Sequence, residues 1–294
     1  MAGAGALAMF LVQPPADLWM LAWVAPLPWL ALAVGRQTPG DHPWRTLWIC
    51  GCVHWLLAIH WLRLPHPATA IGWVALSAYL ACYVVLFVWT TRRLVGRFAW
   101  PLVLAAPVAW MGCEELRGLV GGGFTFAGLG HTQWRWTTLI QLADAFGAVG
   151  VGGVVMTVAA GIIEMATART TSRRLLAAGG AAAVPALALA YGTWRLATVP
   201  PPAGPPLDVL LVQGSIDTEL KHDPEAGGQV ARHYDELTLA GLAAGPEKPD
   251  LIVWPETMWR WGLLTIDPAE VLPESVVAEA VGAEAAAGLD PAEL

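Results

Sequence analysis

Lysine is nearly missing from this chain. Its 294 residues contain two, Lys221 and Lys248, and charged residues of all kinds make up 13%. No cysteine follows Cys113, so the last third can form neither a disulfide nor a thiolate metal site. That last third is also poor in positive charge. From Leu207 onward there are 17 acidic and 4 basic residues, which excludes nucleic acid as a partner. The N-terminus, MAGAGALAMFLV, lacks the basic start of a cleavable signal peptide.

What fills the chain instead is apolar. Hydrophobic residues reach 56%, with 17 tryptophans, too apolar for an ordinary soluble domain. Before Leu207 there are 6 acidic and 12 basic residues, so the overall charge of −7 averages two different materials. The change falls at Val199–Pro206, VPPPAGPP, a stiff extended linker. The expected organisation is a polytopic transmembrane domain over 1–198, a linker over 199–206 and a second domain over 207–294.

Seven apolar stretches are candidate spans: the first dozen residues, then 17–35, 45–62, 70–90, 99–116, 146–166 and 175–194. Arg36 and Arg45, then Arg92, Arg93 and Arg97, then Arg169, Arg173 and Arg174 occupy alternate loops. The positive-inside rule makes those loops cytoplasmic. The loops around 63–69 and 117–145, and everything after Arg195, are then expected outside.

Polar residues in the apolar part invite sharper readings. His54, His60 and His66 recur every six residues, which scatters them around a helix and argues against a metal site. Cys50 and Cys52 likewise face apart and read as small buried hydrophobes. Glu164, near a span end, is expected to snorkel or to pair with an arginine. Ala148, Gly152 and Gly153 form a small-residue face suited to helix packing. Gly121-Gly122-Gly123 lacks the strand and spacing of a phosphate loop, and no cofactor is expected. Glu114, Glu115 and Arg117 border an apolar stretch and precede a glycine- and aromatic-rich segment, Gly123 to Gln133. That segment reads either as a re-entrant loop lining a lipid-accessible cavity or as an ordinary interfacial loop.

In the second part, PDLIVWPETMW (249–259) stands out. Leu251 to Trp254 make a short buried-strand signal, and Pro255, with no N–H to donate, ends the ladder. Glu256 then sits just past a strand end, where open α/β sheets place their chemistry. Beside Trp254 and Trp259 its carboxylate would be partly desolvated and suited to general-base work. Alone, the motif also suits an acid beside a helix start.

Three stretches together resemble the bacterial apolipoprotein N-acyltransferases. They are Trp110 to Gly118 continuing through Gly123-Phe124, Gly128 and Gln133; Val212-Gln213-Gly214-Ser215-Ile216 with Leu220 to Pro224; and Leu251 to Thr257. Where members of that family have Pro and Trp, this chain has Thr125 and Phe126, and His131 replaces an aromatic. The resemblance implies a multi-pass α-helical membrane domain followed by a nitrilase-like αββα sandwich carrying a Glu–Lys–Cys triad, with Glu256 as its glutamate. It implies transfer of an acyl chain from a phospholipid, through a cysteine thioester, to the α-amine of diacylglyceryl-modified apolipoproteins. It also implies an inner-membrane location with the second domain on the periplasmic side. The family's lysine and cysteine follow its glutamate, whereas Lys221 and Lys248 precede Glu256 and no cysteine does follow it. The expectation is therefore a C-terminally truncated member, inactive by itself. A membrane-anchored nitrilase-type amidase, or a fragment that only binds lipid or a partner, are the alternatives.

Overall fold

The computed structural model describes residues 1–35, 41–200, 204–217, 220–221, 223, 225–245, 248–256 and 258. The chain forms two units, Met1–Ala203 and Gly204–Leu294.

The first unit is helical. In order come α1 (Ala2–Leu11), a 3-10 turn (Trp19–Trp23), α2 (Leu27–Val34), α3 (Pro43–Ala58), α4 (Thr69–Arg97), α5 (Leu102–Leu119), the short α6 (Thr137–Ile140), α7 (Ala143–Thr167) and α8 (Thr171–Thr198). Prolines punctuate the run. Pro28 and Pro43 sit in the first turns of α2 and α3, where a missing N–H costs nothing, and Pro101 precedes α5. Thr170 caps α8 by accepting the Arg173 N–H at 3.4 Å. The largest packing interfaces are α3 on α4, α7 on α8 and α5 on α7. Trp29, Leu30, Phe87, Leu102 and Met156 lie fully buried at the centre.

Of the seven expected spans, three are long and apolar enough to cross a membrane: α4, α7 and α8. The first two stretches fold differently. Pro14-Pro15, Pro26 and Pro28 interrupt them, leaving a ten-residue α1 and an eight-residue α2. At 1.5 Å per residue, neither reaches across a core of about 30 Å. α3 has 16 residues, and α5 carries Glu114, Glu115 and Arg117 within its 18.

The arginine-bearing connections gather at one end of this unit. Arg92 donates to Leu32 O and Gly35 O at the end of α2, and Arg173 donates to Ala99 O between α4 and α5. At the other end, Tyr79 Oη donates to Val120 O, Gln13 Nε2 to Ala127 O and Trp23 Nε1 to Gln133 Oε1.

The second unit contains a βαβ element. β1 (Val209–Leu211) and β2 (Leu251–Val253) are parallel, in register Val209 to Leu251, and α9 (Gly227–Ala244) connects them. α9 turns Val230 and Tyr234 onto Val212 and Met258. The tail from Asp267, expected to form an outer helix, lies outside the described residues, among which the sheet has two strands.

Candidate functional site

Two places collect polar groups, one in each unit. In the second unit, the carboxyl ends of both strands are pinned by one face of α9. Past β1, Gly214 N–H donates to Tyr234 Oη at 3.2 Å, and His233 Nε2 bonds Gly214 O at 3.2 Å. A side chain on Gly214 would run into the Tyr234 ring. Past β2, Trp254 Nε1 donates to Thr238 Oγ1 at 3.0 Å, and its ring lies 5.0 Å from that of Tyr234.

Pro255 follows, and the chain turns at Glu256, whose side chain is exposed. Trp254 packs on α9 through its contacts with Thr238 and Tyr234. Trp259, the second expected shield, lies outside the described residues, as do Thr257, Glu247 and His222. Near the end of β1 a hollow of 420 Å³ is lined by Ser215, Asp217, Arg232, His233 and Glu236. Lys221 is half-buried and Lys248 exposed.

In the first unit the polar site lies at the end of α5. Glu114 and Arg117, three residues apart, share a helix face. Both are buried, at 9% and 5% exposure. Glu114 Oε1 accepts the Leu129 N–H at 2.8 Å, so a carboxylate on α5 anchors the loop that follows it. The Arg117 guanidinium lies over the Trp55 ring, 5.1 Å from its centroid. Its Nε, Trp55 Nε1 and Trp110 Nε1 have no hydrogen-bond partner among the described residues. These three residues also line a cavity of 30 Å³, with Tyr83, Cys113 and Glu114.

The loop from Val120 to Trp136 folds back onto the bundle. Gly123 adopts φ 79°, which lets Phe124 N–H return to Arg117 O at 2.9 Å and close the end of α5. Gly130 lies so close to α7 that a Cβ there would run into Ala148 O. Gly152 and Gly153 complete that contact, the first against Gly130 and the second against Met111, so the small-residue face packs as expected.

Two polar residues, Gln133 and Gln13, find partners across the fold that their sequence positions do not reveal. Gln133, fully buried, donates to Trp19 O and accepts from Trp23 Nε1. Gln13 reaches Ala127 O from the other side of the same loop. Their signal was polarity inside apolar stretches, where an unpaired group is costly. Glu164 was read wrongly: it neither snorkels nor pairs with arginine. Its Oε2 accepts the Val103 N–H at 2.8 Å, capping α5 from α7.

The three histidines do not converge. His54 is buried between Trp29 and Trp55, His60 Nδ1 bonds Leu57 O, and His66 Nδ1 accepts from Ala68 N–H. Among the described residues no group of three metal-ligating side chains comes together.

Residues 5–161 match the family described as the apolipoprotein N-acyltransferase N-terminal domain. Similar curated proteins bear the name apolipoprotein N-acyltransferase. One from Rhodopirellula baltica is 29% identical, the match covering 98% of this chain and 52% of that protein. One from Geobacter metallireducens is 31% identical over 83% of this chain and 48% of that protein. One from Sinorhizobium medicae is 31% identical over 97% and 58%. The chain thus spans about half the length of the curated relatives it matches.

Proposed function

The chain belongs to the apolipoprotein N-acyltransferase family, and from that premise we propose that it serves the transfer of an acyl chain from a phospholipid to the N-terminal amine of diacylglyceryl-cysteine lipoproteins. In this reading residues 1–198 form the membrane platform, 199–206 the linker and 207–294 part of a nitrilase-like αββα domain on the periplasmic side of the inner membrane.

Glu256 is the general base. It takes the proton of a cysteine thiol supplied by the remainder of that domain, and the thiolate attacks the phospholipid ester. The ester C–O bond breaks, a thioester forms, and the lysophospholipid alkoxide leaves with the proton held by Glu256. The lipoprotein amine then attacks the thioester; an amide bond forms, the acyl C–S bond breaks, and the amine's proton passes through Glu256 to the departing thiolate, regenerating the thiol. A lysine stabilises the oxyanion in both steps.

The observation that carries the assignment of Glu256 is its position: one residue past Pro255, exposed, at the carboxyl end of a parallel strand. The chain's own part in the chemistry is therefore the base and the lipid-facing platform.

The test joins this chain to the C-terminal half of the Geobacter metallireducens relative, in cells depleted of their own enzyme. Triacylated lipoprotein, read by mass spectrometry, is the expected product. Glu256→Gln should prevent thioester accumulation and lower turnover by about two to four orders of magnitude, while the control Glu247→Gln should be nearly silent. Thioester formation at the normal rate in a well-inserted Glu256→Gln protein would remove Glu256 from the mechanism.

A further inference from the structure

The arginine-bearing end of the first unit holds a separate polar hollow. α4 has 29 residues and measures about 43 Å, well beyond a hydrocarbon core of about 30 Å. Its first half is fixed at the opposite end, where Tyr79 Oη donates to Val120 O. Its last turns, Arg92 to Arg97, stand at the arginine-bearing end, about 20–27 Å from Tyr79 along the helix.

A hollow of 410 Å³ opens there, lined by Trp44, Trp89, Arg92, Arg93, Gly96 and Arg97. The three cations have different duties. Arg92 caps the carbonyls ending α2, with Gly35 O at 2.7 Å. Arg93, exposed, stands over the Trp89 ring at 5.3 Å, which orients its fork without neutralising it. Arg97, in the last turn, is exposed.

Acidic counterweights are scarce. The connections 98–101 and 168–170 contain no acid, and Asp41 stands before α3. The ion pairs among the described residues, Arg135–Asp17 and Arg195–Asp144, belong to the other end. Positive charge alone would serve topology. The tryptophan walls go further, because they give the arginines a shaped recess. Next to it Phe98 and Trp100 are 60% and 41% exposed, an apolar skirt that suits acyl chains and offers nothing to a soluble anion.

We propose that this hollow binds the phosphate of an anionic phospholipid, with Arg93 and Arg97 as its donors and the chains lying against Phe98 and Trp100. Arginine suits the task because its planar fork meets phosphate oxygens two at a time. The lipid is a bound companion of the fold and is independent of the acyl donor, so this site stands or falls apart from Glu256.

The full chain in mild detergent, titrated with phosphatidylglycerol or phosphatidylcholine of the same acyl chains and read by native mass spectrometry, provides the test. Phosphatidylglycerol should be retained in preference, and millimolar inorganic phosphate should not displace it. Arg93→Gln with Arg97→Gln should weaken retention on the order of twentyfold. Arg169→Gln, at the same end but outside the hollow, should leave it unchanged. If the double change disturbs the fold, judged by circular dichroism, exposed Arg97→Gln alone carries the test, with a loss of about fivefold. Equal retention of the two lipids, displacement by phosphate, an unaffected arginine variant, or an equal loss in Arg169→Gln would each overturn the proposal.

Discussion

Glu164 on α7 holds the start of α5: its Oε2 accepts the Val103 N–H at 2.8 Å, across 61 residues of sequence. Both partners are buried. The first amides of a helix have no intrahelical acceptor, and in an apolar setting each unpaired one is costly. A carboxylate at that position also meets the positive end of the helix dipole.

Glu164→Ala should therefore destabilise the membrane unit by about 1–3 kcal/mol, the cost of a buried donor left unsatisfied. Glu164→Gln keeps an acceptor oxygen and should lose less. Unfolding of the purified protein by denaturing detergent, followed by circular dichroism, checks the order. Equal stability of all three proteins would mean that water reaches Val103.

Gly130→Ala forces a methyl group into Ala148 O, part of the α7 backbone. Backbone cannot swing aside as a side chain can, so the loop must lift from the helix at a cost of about 1–3 kcal/mol. Gly112→Ala is the control, since a Cβ there meets nothing within 4 Å. Protease accessibility of the 120–136 loop should rise in the first variant and stay unchanged in the second.

Orientation can be read with reporters. Fused after Pro206, a reporter that works only outside the cytoplasm should be active, and near Arg93 it should be silent. The reverse pattern would turn the proposed location of Glu256 around.

Expressed by itself, this 294-residue chain should not restore lipoprotein N-acylation to depleted cells. Its four free cysteines lie in α3, α4 and α5, at positions 50, 52, 82 and 113, and none follows Glu256. Appearance of triacylated lipoprotein would refute the assignment of a nucleophile outside these residues.

Much of the fold was legible because membrane burial imposes a coarse rule. Long apolar runs must become helices, and α4, α7 and α8 could be found, although α4 runs on past its expected end at 90 to Arg97. The same rule overreached at the N-terminus. Hydropathy there stays high through 17–35, yet prolines divide the stretch into a 3-10 turn and an eight-residue helix. Averaged hydropathy is insensitive to a missing N–H, whereas a helix is not. In the second unit, the strand Leu251–Val253 and its end at Pro255 followed from local rules, but its expected burial did not: all three strand residues are exposed, as is Glu256. The partner the Trp254 indole finds, Thr238 Oγ1 on α9, is likewise set by packing across the unit.

The sequence by itself determined the division into an apolar and an acidic part, the long helices, the segregation of arginines and the family. Each follows from composition, period or a short motif, which need no knowledge of distant contacts. Only the tertiary structure decided where the isolated polar groups go: Glu114 to Leu129 N–H, Glu164 to Val103 N–H, Gln133 between Trp19 and Trp23. The reason is physical. A buried polar group must find a partner, but the partner's address is set by packing across tens of residues, and no local pattern encodes it.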